Sequence, residues 1–293
     1  MPQSTAPSEE LTCCKLFSVK GLVVVITGGG TGIGLMIAQA FAANGAKVYI
    51  IGRREETLKT AAEHYASNTS GSITPIQGDV TSKSSIEKVV EQIKQAEGHV
   101  NVLFNNAGIS SPKSEEASES AEDTQEKLYK NQDFDDWKTV FETNVASAYF
   151  VTLAFLPLLQ EGGKKSPGYS STVINISSVS GLIKESQNKM AYNSSKAAVI
   201  HLTKMMAQNF SGLKIRVNSI APGLFPSEMT MGESDEKNKS THSDTMDVPA
   251  KRAGDIREMA GTALYLASPA GLYTNGAVIP VDGGLLLSVP SAY

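Results

Sequence analysis

The 293-residue sequence has few cysteines: Cys13 and Cys14 are the only two, and they are adjacent. Adjacent cysteines rarely bridge, so we expect no disulfide framework. No apolar run approaches the roughly 20 residues that a membrane helix needs. Residues 1–10 also lack the apolar segment of a signal peptide. These absences predict a cytoplasmic protein without a membrane partner, and we expect residues 1–17 to be a disordered leader.

A strong excess of charge is also absent. The 26 lysines and arginines nearly balance the 30 aspartates and glutamates, giving a formal net charge of −4 and a pI near 5.7. A protein without a basic excess has no electrostatic reason to bind nucleic acid. Hydrophobic residues make up 41% of the chain, so there is ample material for a buried core. We predict no nucleic-acid partner and no metal site.

A glycine-rich turn lies between a predicted strand and a predicted helix. Leu22–Thr27 is a short apolar run, typical of a strand that is buried on both faces. The turn Gly28–Gly34 follows it, and the next apolar run, Lys47–Gly52, comes after a helical pattern that ends at Asn44-Gly45. This is the context of a dinucleotide-binding turn, in which glycines let a pyrophosphate approach a helix N-terminus. A merely flexible loop is the alternative. The predicted cofactor contacts are Gly28, Thr31, Gly32, Ile33 and Gly34.

The end of the second strand indicates which nucleotide is bound. NAD-binding proteins place an acidic residue there for the ribose 2′-hydroxyl, whereas NADP-binding proteins accommodate the 2′-phosphate with arginine. Here the strand ends in Gly52-Arg53-Arg54. Two guanidinium groups can chelate a phosphate, although two solvated arginines are the alternative. Arg53 and Arg54 therefore predict NADP(H).

Two later strand ends carry polar turns. The predicted strand Ile73–Gln77 leads to Asp79 and Val80, where Asp79 is placed to hydrogen-bond an adenine amino group. The strand Val100–Phe104 leads to Asn105-Asn-Ala-Gly108, which could stabilise the sheet edge beside the cofactor. Both could also be ordinary turns, because Asp, Asn and Gly dominate turns. The further cofactor contacts predicted here are Asp79, Val80, Asn106, Ala107 and Gly108.

Tyr192 and Lys196 are four residues apart in a predicted helix, Ala191–Phe210, so they share one face. A free tyrosine has a pKa of about 10 and is a poor proton donor at neutral pH. A neighbouring ammonium favours the phenolate and lowers that pKa. Ser178, after the buried strand Val173–Ile176, could hydrogen-bond a substrate carbonyl or hydroxyl. A surface Tyr/Lys pair beside a serine-rich turn is the alternative.

Taken together, these motifs resemble the short-chain dehydrogenase/reductase family over about residues 18–287. Asn144 in Glu142-Thr-Asn-Val145 resembles the family's helix asparagine, and Pro222-Gly223 resembles its nicotinamide-side turn. Residues 221–230 and 278–284 look most like 3-oxoacyl reductases of the rhamnolipid-biosynthesis type. The resemblance implies one domain over residues 18–293, an α/β Rossmann fold with a doubly wound parallel sheet of about seven strands. The implied strand order is 3-2-1-4-5-6-7, with helices on both faces.

The resemblance also implies a reaction: the NADPH-dependent reduction of a ketone to a secondary alcohol, with a β-keto acyl group or related apolar carbonyl as substrate. Ser178 would polarise the carbonyl, and Tyr192 would donate the proton. Lys196 would assist Tyr192 and hold the nicotinamide ribose, and Asn144 would position a water that relays protons to Lys196. Two alternatives stay open. One is an NADP-linked alcohol, polyol or steroid dehydrogenase working oxidatively, and the other is a non-catalytic protein that senses NADP(H).

Two segments depart from a compact pattern. An insert lies at about residues 111–133, and the acidic stretch from Glu115 to Asp136 contains only two cations, Lys127 and Lys130. It is either a solvated, partly disordered loop or a negatively charged rim at the active-site mouth that repels acidic partners. Residues 224–250 have little periodicity and are predicted to be a mobile substrate lid. The carboxylates of the acidic stretch are Glu115, Glu116, Glu119, Glu122, Asp123, Glu126, Asp133, Asp135 and Asp136.

Two long helices, Trp137–Leu159 and Ala191–Phe210, suggest how copies of the chain associate. In the family that the chain resembles, these helices pair with their counterparts, so we expect a homodimer or homotetramer. Four apolar residues on these helices suit such a bundle, although they could equally belong to the chain's own core. They are Val151, Phe155, Val199 and Met206.

Overall fold

The computed structural model describes residues 7–67, 69–166, 168–231, 234–240 and 248–291. Seven strands within these residues form one sheet in the order β3-β2-β1-β4-β5-β6-β7, which confirms the predicted order. All neighbouring strands are parallel. The strands are β1 (Val23–Thr27), β2 (Lys47–Gly52), β3 (Ser72–Gln77), β4 (Val102–Asn105), β5 (Thr172–Ile176), β6 (Arg216–Pro222) and β7 (Val278–Val281).

Helices connect the strands and cover both faces of the sheet. The long helix after the acidic insert is interrupted by a π-helical turn at Glu142–Ala146. The α-helices are α1 (Cys13–Leu16), α2 (Gly32–Ala43), α3 (Glu55–Ala66), α4 (Lys83–Glu97), α5 (Ala121–Tyr129), α6 (Phe134–Phe141), α7 (Ser147–Lys165), α8 (Met190–Asn209), α9 (Glu228–Met231), α10 (Ile256–Ala267) and α11 (Leu285–Ser288).

The four central strands are buried along their whole length. Because helices cover both faces, these strands are mainly apolar rather than alternating between apolar and polar residues. Successive side chains still point to opposite faces. In β1, Val24 and Ile26 pack with α2, α3 and α10, whereas Val23 and Val25 pack with α4, α7 and α8. The core therefore consists of two apolar layers with the sheet between them.

The order of the strands reverses between β1 and β4. The chain builds β2 and β3 on one side of β1 and then crosses to place β4 on the other side. At such a point the connections leave neighbouring strands in opposite directions, so a crevice opens outside their carboxyl ends. The turn Gly28–Gly34 follows β1 and the turn Asn105–Gly108 follows β4. The two turns that the sequence assigned to the cofactor thus border one crevice.

Two expectations concern residues that the structure describes. The sequence left open whether Val151, Phe155, Val199 and Met206 face a second copy or the chain's own core, and each is at most 2% exposed within the single chain, so they belong to its core. In the expected leader, residues 7–17 contain a 3₁₀ turn at Ser8–Leu11 and helix α1, while residues 1–6 lie outside the described part. Both cysteines are exposed, free thiols.

The acidic insert and the predicted lid contain regular structure. Helix α5 lies in the insert, and the Ser120 hydroxyl caps it by accepting a hydrogen bond from Asp123 N. Two of the three insert lysines form ion pairs one helical turn away, Lys127 with Asp123 and Lys130 with Glu126. In the lid, α9 and residues 234–240 are described, whereas residues 232–233 and 241–247 are not.

The helical run Phe134–Lys165 is long and apolar enough to cross a membrane, by length and composition only. This finding differs from the expectation that no apolar run approaches the roughly 20 residues that a membrane helix needs. The apolar side chains of this run belong to the core, because Phe155 and Leu159 are buried in the same apolar layer as Val23 and Val25. The core helix of a globular domain passes the same test, so this helix alone does not indicate a membrane protein.

Candidate active site

A cleft with a volume of about 440 Å³ lies outside the carboxyl ends of the central strands. Most of the predicted site residues line it, and two do not: Gly34 and Asn144. The predicted residues that line the cleft are Gly28, Thr31, Gly32, Ile33, Arg53, Arg54, Asp79, Val80, Asn106, Ala107, Gly108, Ser178, Tyr192, Lys196, Pro222 and Gly223.

The glycine turn is braced by the turn that follows β4. Gly28 has a φ of +66°, and a Cβ there would lie 3.0 Å from Ala107 Cα. Asn106 Nδ2 donates to the carbonyl oxygens of Thr27 at 2.9 Å and Gly28 at 3.0 Å. A Cβ on Gly34 would collide with the Gly28 carbonyl oxygen. Gly34 therefore allows α2 to pack closely against the turn, and its predicted contact with the cofactor stays a prediction.

The N-terminus of α2 lies at the cleft. Its N-cap residue, Thr31, makes no side-chain capping hydrogen bond. The first backbone N–H groups of a helix lack partners within the helix and carry partial positive charge. Thr31, Gly32 and Ile33 all line the cleft. These residues fit the pyrophosphate of a dinucleotide, as the sequence predicts.

The predicted adenosine end of the cleft lies between β2 and β3. The Asp79 carboxylate accepts hydrogen bonds from Thr81 N at 2.9 Å and Thr81 Oγ1 at 2.7 Å, and these hold the pKa of Asp79 below its ordinary value. Both bonds end on Oδ1, so the part of the chain that the structure describes supplies no donor to Oδ2. Arg53 is exposed at the same end of the cleft. Asp79 can thus accept a further hydrogen bond while it remains ionised.

Glu228 is a site residue that sequence analysis missed. It lies on α9, lines the cleft and accepts hydrogen bonds from both terminal nitrogens of Arg54, at 2.6 and 3.3 Å. No local pattern identifies this contact, because the two residues are 174 positions apart. One of the two predicted phosphate-binding arginines is therefore already paired with a carboxylate.

Tyr192, Lys196 and Ser178 meet at the other end of the cleft. Lys196 Nζ lies 5.6 Å from the centroid of the Tyr192 ring and donates to the Ile176 carbonyl oxygen at 3.0 Å. Lys196 is only 4% exposed, and this burial lowers its pKa to about 8. Ser178 ends the strand-to-turn connection after β5, where its hydroxyl accepts from Ser180 N at 3.1 Å. The three residues that the sequence proposed for catalysis are thus brought together.

The pKa of Tyr192 differs from the expectation that Lys196 would lower it. Burial raises this pKa, and a hydrogen bond with Ser178 only partly opposes the shift. The reason is geometric: Lys196 directs a hydrogen bond to a backbone carbonyl rather than to the phenol. Tyr192 is therefore a neutral phenol at neutral pH. This is the form that can donate a proton.

Asn144 lies behind the cleft, in the π-helical turn, and is buried. Its Oδ1 accepts from Ile109 N at 2.8 Å, while its Nδ2 donates to Ile109 O at 3.0 Å and to Ser195 Oγ at 3.0 Å. The side-chain amide therefore joins the loop after β4 to α8. With both donors of Nδ2 engaged, the Asn144 side chain holds its neighbours in position, and its predicted part in a proton relay through water stays a prediction.

Gly108 lies between these groups and the cleft. A Cβ at this position would lie 3.1 Å from Asn144 Oδ1 and 3.5 Å from Lys196 Nζ. A side chain here would press on the Asn144 amide, so glycine lets the backbone pass close to both groups without strain. Within the described residues, no cluster of three or more His, Cys, Asp or Glu side chains could hold a metal ion.

The doubly wound sheet, the glycine turn at a helix N-terminus and the Ser/Tyr/Lys group define a Rossmann-type oxidoreductase with a nicotinamide cofactor. A family model described as enoyl-(acyl carrier protein) reductase matches residues 28–286. The chain belongs to the short-chain dehydrogenase/reductase family, as the sequence motifs predicted.

Individual relatives agree with this assignment. The chain is 44% identical to the short-chain dehydrogenase/reductase PhomF of Diaporthe leptostromiformis, over 100% of both proteins. It is 34% identical to the rhamnolipids biosynthesis 3-oxoacyl-[acyl-carrier-protein] reductase of Pseudomonas aeruginosa, covering 92% of this chain and 98% of the relative. A solved structure, the Pseudomonas aeruginosa RhlG/NADP active-site complex, superposes with a TM-score of 0.78 at 34% identity, covering 92% of this chain and 98% of that one.

Proposed function

We propose that the protein reduces a ketone to a secondary alcohol with NADPH as the hydride donor. The observation that carries the proposal is that Ser178, Tyr192 and Lys196 line the same end of the cleft, with Lys196 Nζ 5.6 Å from the centroid of the Tyr192 ring. A phenol that holds its proton beside a hydroxyl and an ammonium is the arrangement that a general acid needs. The support for a carbonyl substrate is the family, whose members include a relative named as a 3-oxoacyl reductase.

Each residue has a separate task in this mechanism. NADPH, when bound, supplies the hydride to the carbonyl carbon. The Ser178 hydroxyl donates a hydrogen bond to the carbonyl oxygen, which stabilises the negative charge that develops there. Tyr192 gives its proton to that oxygen, so the products are the alcohol and a phenolate. The Lys196 ammonium, 5.6 Å from the ring centroid, stabilises the phenolate until a proton returns to it.

NADPH rather than NADH is supported by Arg53 and Arg54 after β2. Both line the cleft, and no carboxylate takes the position directly after the strand, where an NAD-binding protein holds the ribose hydroxyls. The affinity of the wild-type protein for each cofactor, measured by fluorescence titration, tests this point. Equal affinity for NADH and NADPH would refute it.

The substrate that we propose is a β-keto ester, a β-keto acyl group or a related apolar ketone. The relative named as a 3-oxoacyl reductase supports this class. The test is a panel of ketones incubated with NADPH, followed through the absorbance of the reduced nicotinamide, with Tyr192→Phe as the inactive control. If only alcohols are turned over, with NADP⁺, the oxidative dehydrogenase is correct. If nothing is turned over although NADPH binds, the protein is a sensor.

We also propose that the protein is a cytoplasmic homodimer or homotetramer. Two aromatic side chains of α7 lie outside the core: Tyr149 and Phe150 are each 39% exposed. On α8, Met205 is 45% exposed. Apolar groups exposed on neighbouring helices suit contact with a second copy. Light scattering of the purified protein measures the number of copies, and a monomer would contradict the proposal.

A further inference from the structure

The predicted lid reaches the adenosine end of the cleft, away from Tyr192. Glu228 on α9 accepts two hydrogen bonds from Arg54 and a third, at 2.9 Å, from Ser234 Oγ. The hydrogen bonds from Arg54, and secondarily from Ser234, hold the pKa of Glu228 below its ordinary value. Glu228 is therefore an anion at neutral pH. It pairs with Arg54, one of the two arginines that the sequence assigned to a cofactor phosphate.

Residues 234–240 of the lid are attached to α3, the helix that begins directly after Arg54. Asn238 Nδ2 donates to Thr57 O at 2.9 Å, and Tyr65 Oη donates to Lys237 O at 2.7 Å. Lys239 Nζ lies 5.3 Å from the centroid of the Tyr65 ring. The lid is thus held on α3 on one side of Glu228. On the other side Ser227 lies close to the glycine turn, with its Cβ 2.8 Å from where a Cβ on Gly32 would be.

The attachment of the lid to α3 distinguishes the Arg54–Glu228 ion pair from a chance surface contact. Arg54 is 61% exposed and Glu228 30% exposed, and an isolated pair of that kind has little energetic value. Here Glu228 also accepts a hydrogen bond from Ser234 Oγ, which restricts its side chain, so less side-chain entropy opposes the pair. A phosphate needs the same guanidinium group in the same orientation, because arginine binds oxyanions through its paired N–H groups.

We propose that Glu228 determines cofactor specificity by competing with the 2′-phosphate of NADPH for Arg54. The proposal rests on the proposed use of NADPH. The 2′-phosphate and the Glu228 carboxylate are both anions, so they repel each other and cannot both hold Arg54. Glu228 therefore reduces the preference for NADPH over NADH that Arg53 and Arg54 create. NADH has a 2′-hydroxyl in place of the 2′-phosphate, so its binding does not require Arg54 to leave Glu228.

The experiment is calorimetric binding to the purified full-length protein, with NADPH, NADH and 2′,5′-ADP as probes. Glu228→Gln removes one charge but keeps the shape of the side chain. Glu56→Gln is the matched control, since Glu56 is a carboxylate two positions from Arg54 that pairs with Lys59 instead, at 3.0 Å. We expect Glu228→Gln to strengthen NADPH and 2′,5′-ADP binding by roughly three- to tenfold, the size of a partly solvated charged contact. We expect NADH binding to stay within about twofold.

Two results would overturn the proposal. One is an NADPH-to-NADH affinity ratio in Glu228→Gln that stays within about twofold of the wild-type ratio. The other is an equal gain in Glu56→Gln, which would mean that only the general negative charge of this surface acts. Failure of the proposed NADPH dependence looks different, because it appears in the wild-type protein as equal or tighter binding of NADH, whatever the variants do.

Discussion

Asn144 and Tyr192 are linked through one buried hydroxyl. Asn144 Nδ2 donates to Ser195 Oγ at 3.0 Å, and Ser195 Oγ donates in turn to the Tyr192 carbonyl oxygen at 2.7 Å. Ser195 is fully buried and does not line the cleft. It therefore connects the π-helical turn to the first turn of α8, which carries the proposed general acid.

Ser195→Ala is expected to lower kcat while leaving the affinity for NADPH unchanged. The substitution leaves Asn144 Nδ2 without one partner, so the free energy of unfolding should fall by about 1–3 kcal/mol. Ser171→Ala is the control, since Ser171 is equally buried but bonds to Val100 O, far from the cleft. Both variants should lose stability in urea denaturation, and only Ser195→Ala should lose kcat. Equal kcat in the two variants would reduce Ser195 to a packing residue.

Tyr192→Phe is expected to fold and to bind NADPH, but to turn over roughly 10²- to 10⁴-fold more slowly, the usual effect of losing a general acid. The matched control is Tyr169→Phe. The Tyr169 hydroxyl donates to Ala267 O at 2.7 Å, so its loss should cost about 1 kcal/mol of stability and no activity. Near wild-type turnover in folded Tyr192→Phe would remove this residue from the mechanism.

The burial of Lys196 has a consequence for stability that can be measured. Its pKa falls from 10.5 in the unfolded chain to about 8 in the folded one. Between those two pH values the unfolded state binds more protons, so the free energy of unfolding should increase with pH. Below pH 8 the buried ammonium should cost about 3 kcal/mol, since each pKa unit corresponds to about 1.4 kcal/mol.

Lys196→Met tests this point. The variant removes the buried charge, so its stability relative to wild type should be greatest near neutral pH and should decline as the pH rises from about 8 to 10.5. Other groups that titrate in this range are common to both proteins and cancel in the difference. Urea denaturation at several pH values gives the slope. A difference that does not change with pH would show that Lys196 is not buried as a cation.

Much of the fold could be predicted because its signals are local. Parallel strands buried on both faces are continuous apolar runs, and the turns after β1 and β4 are short motifs next to those strands. An apolar helical face, in contrast, has the same sequence pattern in a core and in an interface. The sequence alone therefore left Phe155 undecided until its burial was known. The Arg54–Glu228 pair and the orientation of Lys196 depend on long-range packing, which leaves no periodic signal.

Arg53 provides a test of the cofactor proposal that does not involve Glu228. Arg53→Asp should shift the preference from NADPH toward NADH by at least about tenfold, because a charge-assisted contact is lost and a repulsive charge is introduced. The control is Lys59→Asp, a charge reversal on α3 at a cation that already pairs with Glu55 and Glu56. Binding of both cofactors by fluorescence titration is the measurement. An equal shift of cofactor preference in Lys59→Asp would mean that the net charge of α3, and not a contact from Arg53, determines the preference.

The acidic insert leads to the last prediction, on the form of the substrate. Ser114 N in the insert donates to Asn188 O at 2.8 Å, and the next residue, Lys189, has its Nζ 6.0 Å from the Tyr192 ring centroid. The insert thus adjoins the loop before α8, close to the proposed general acid. Exposed carboxylates such as Glu116 and Glu119 should repel acidic carrier proteins at this edge, because like charges disfavour docking.

We therefore expect a free β-keto ester to be reduced with a higher kcat/KM than its carrier-linked equivalent. The double variant Glu116→Gln/Glu119→Gln should improve only the carrier-linked reaction, and mainly at low salt, where exposed charges are least screened. Neutralising Glu87 and Glu91 on α4, two exposed carboxylates, is the control for net charge. A preference of the wild-type protein for the carrier-linked substrate at low salt would defeat the electrostatic argument. It would favour a fatty-acid-type reductase instead.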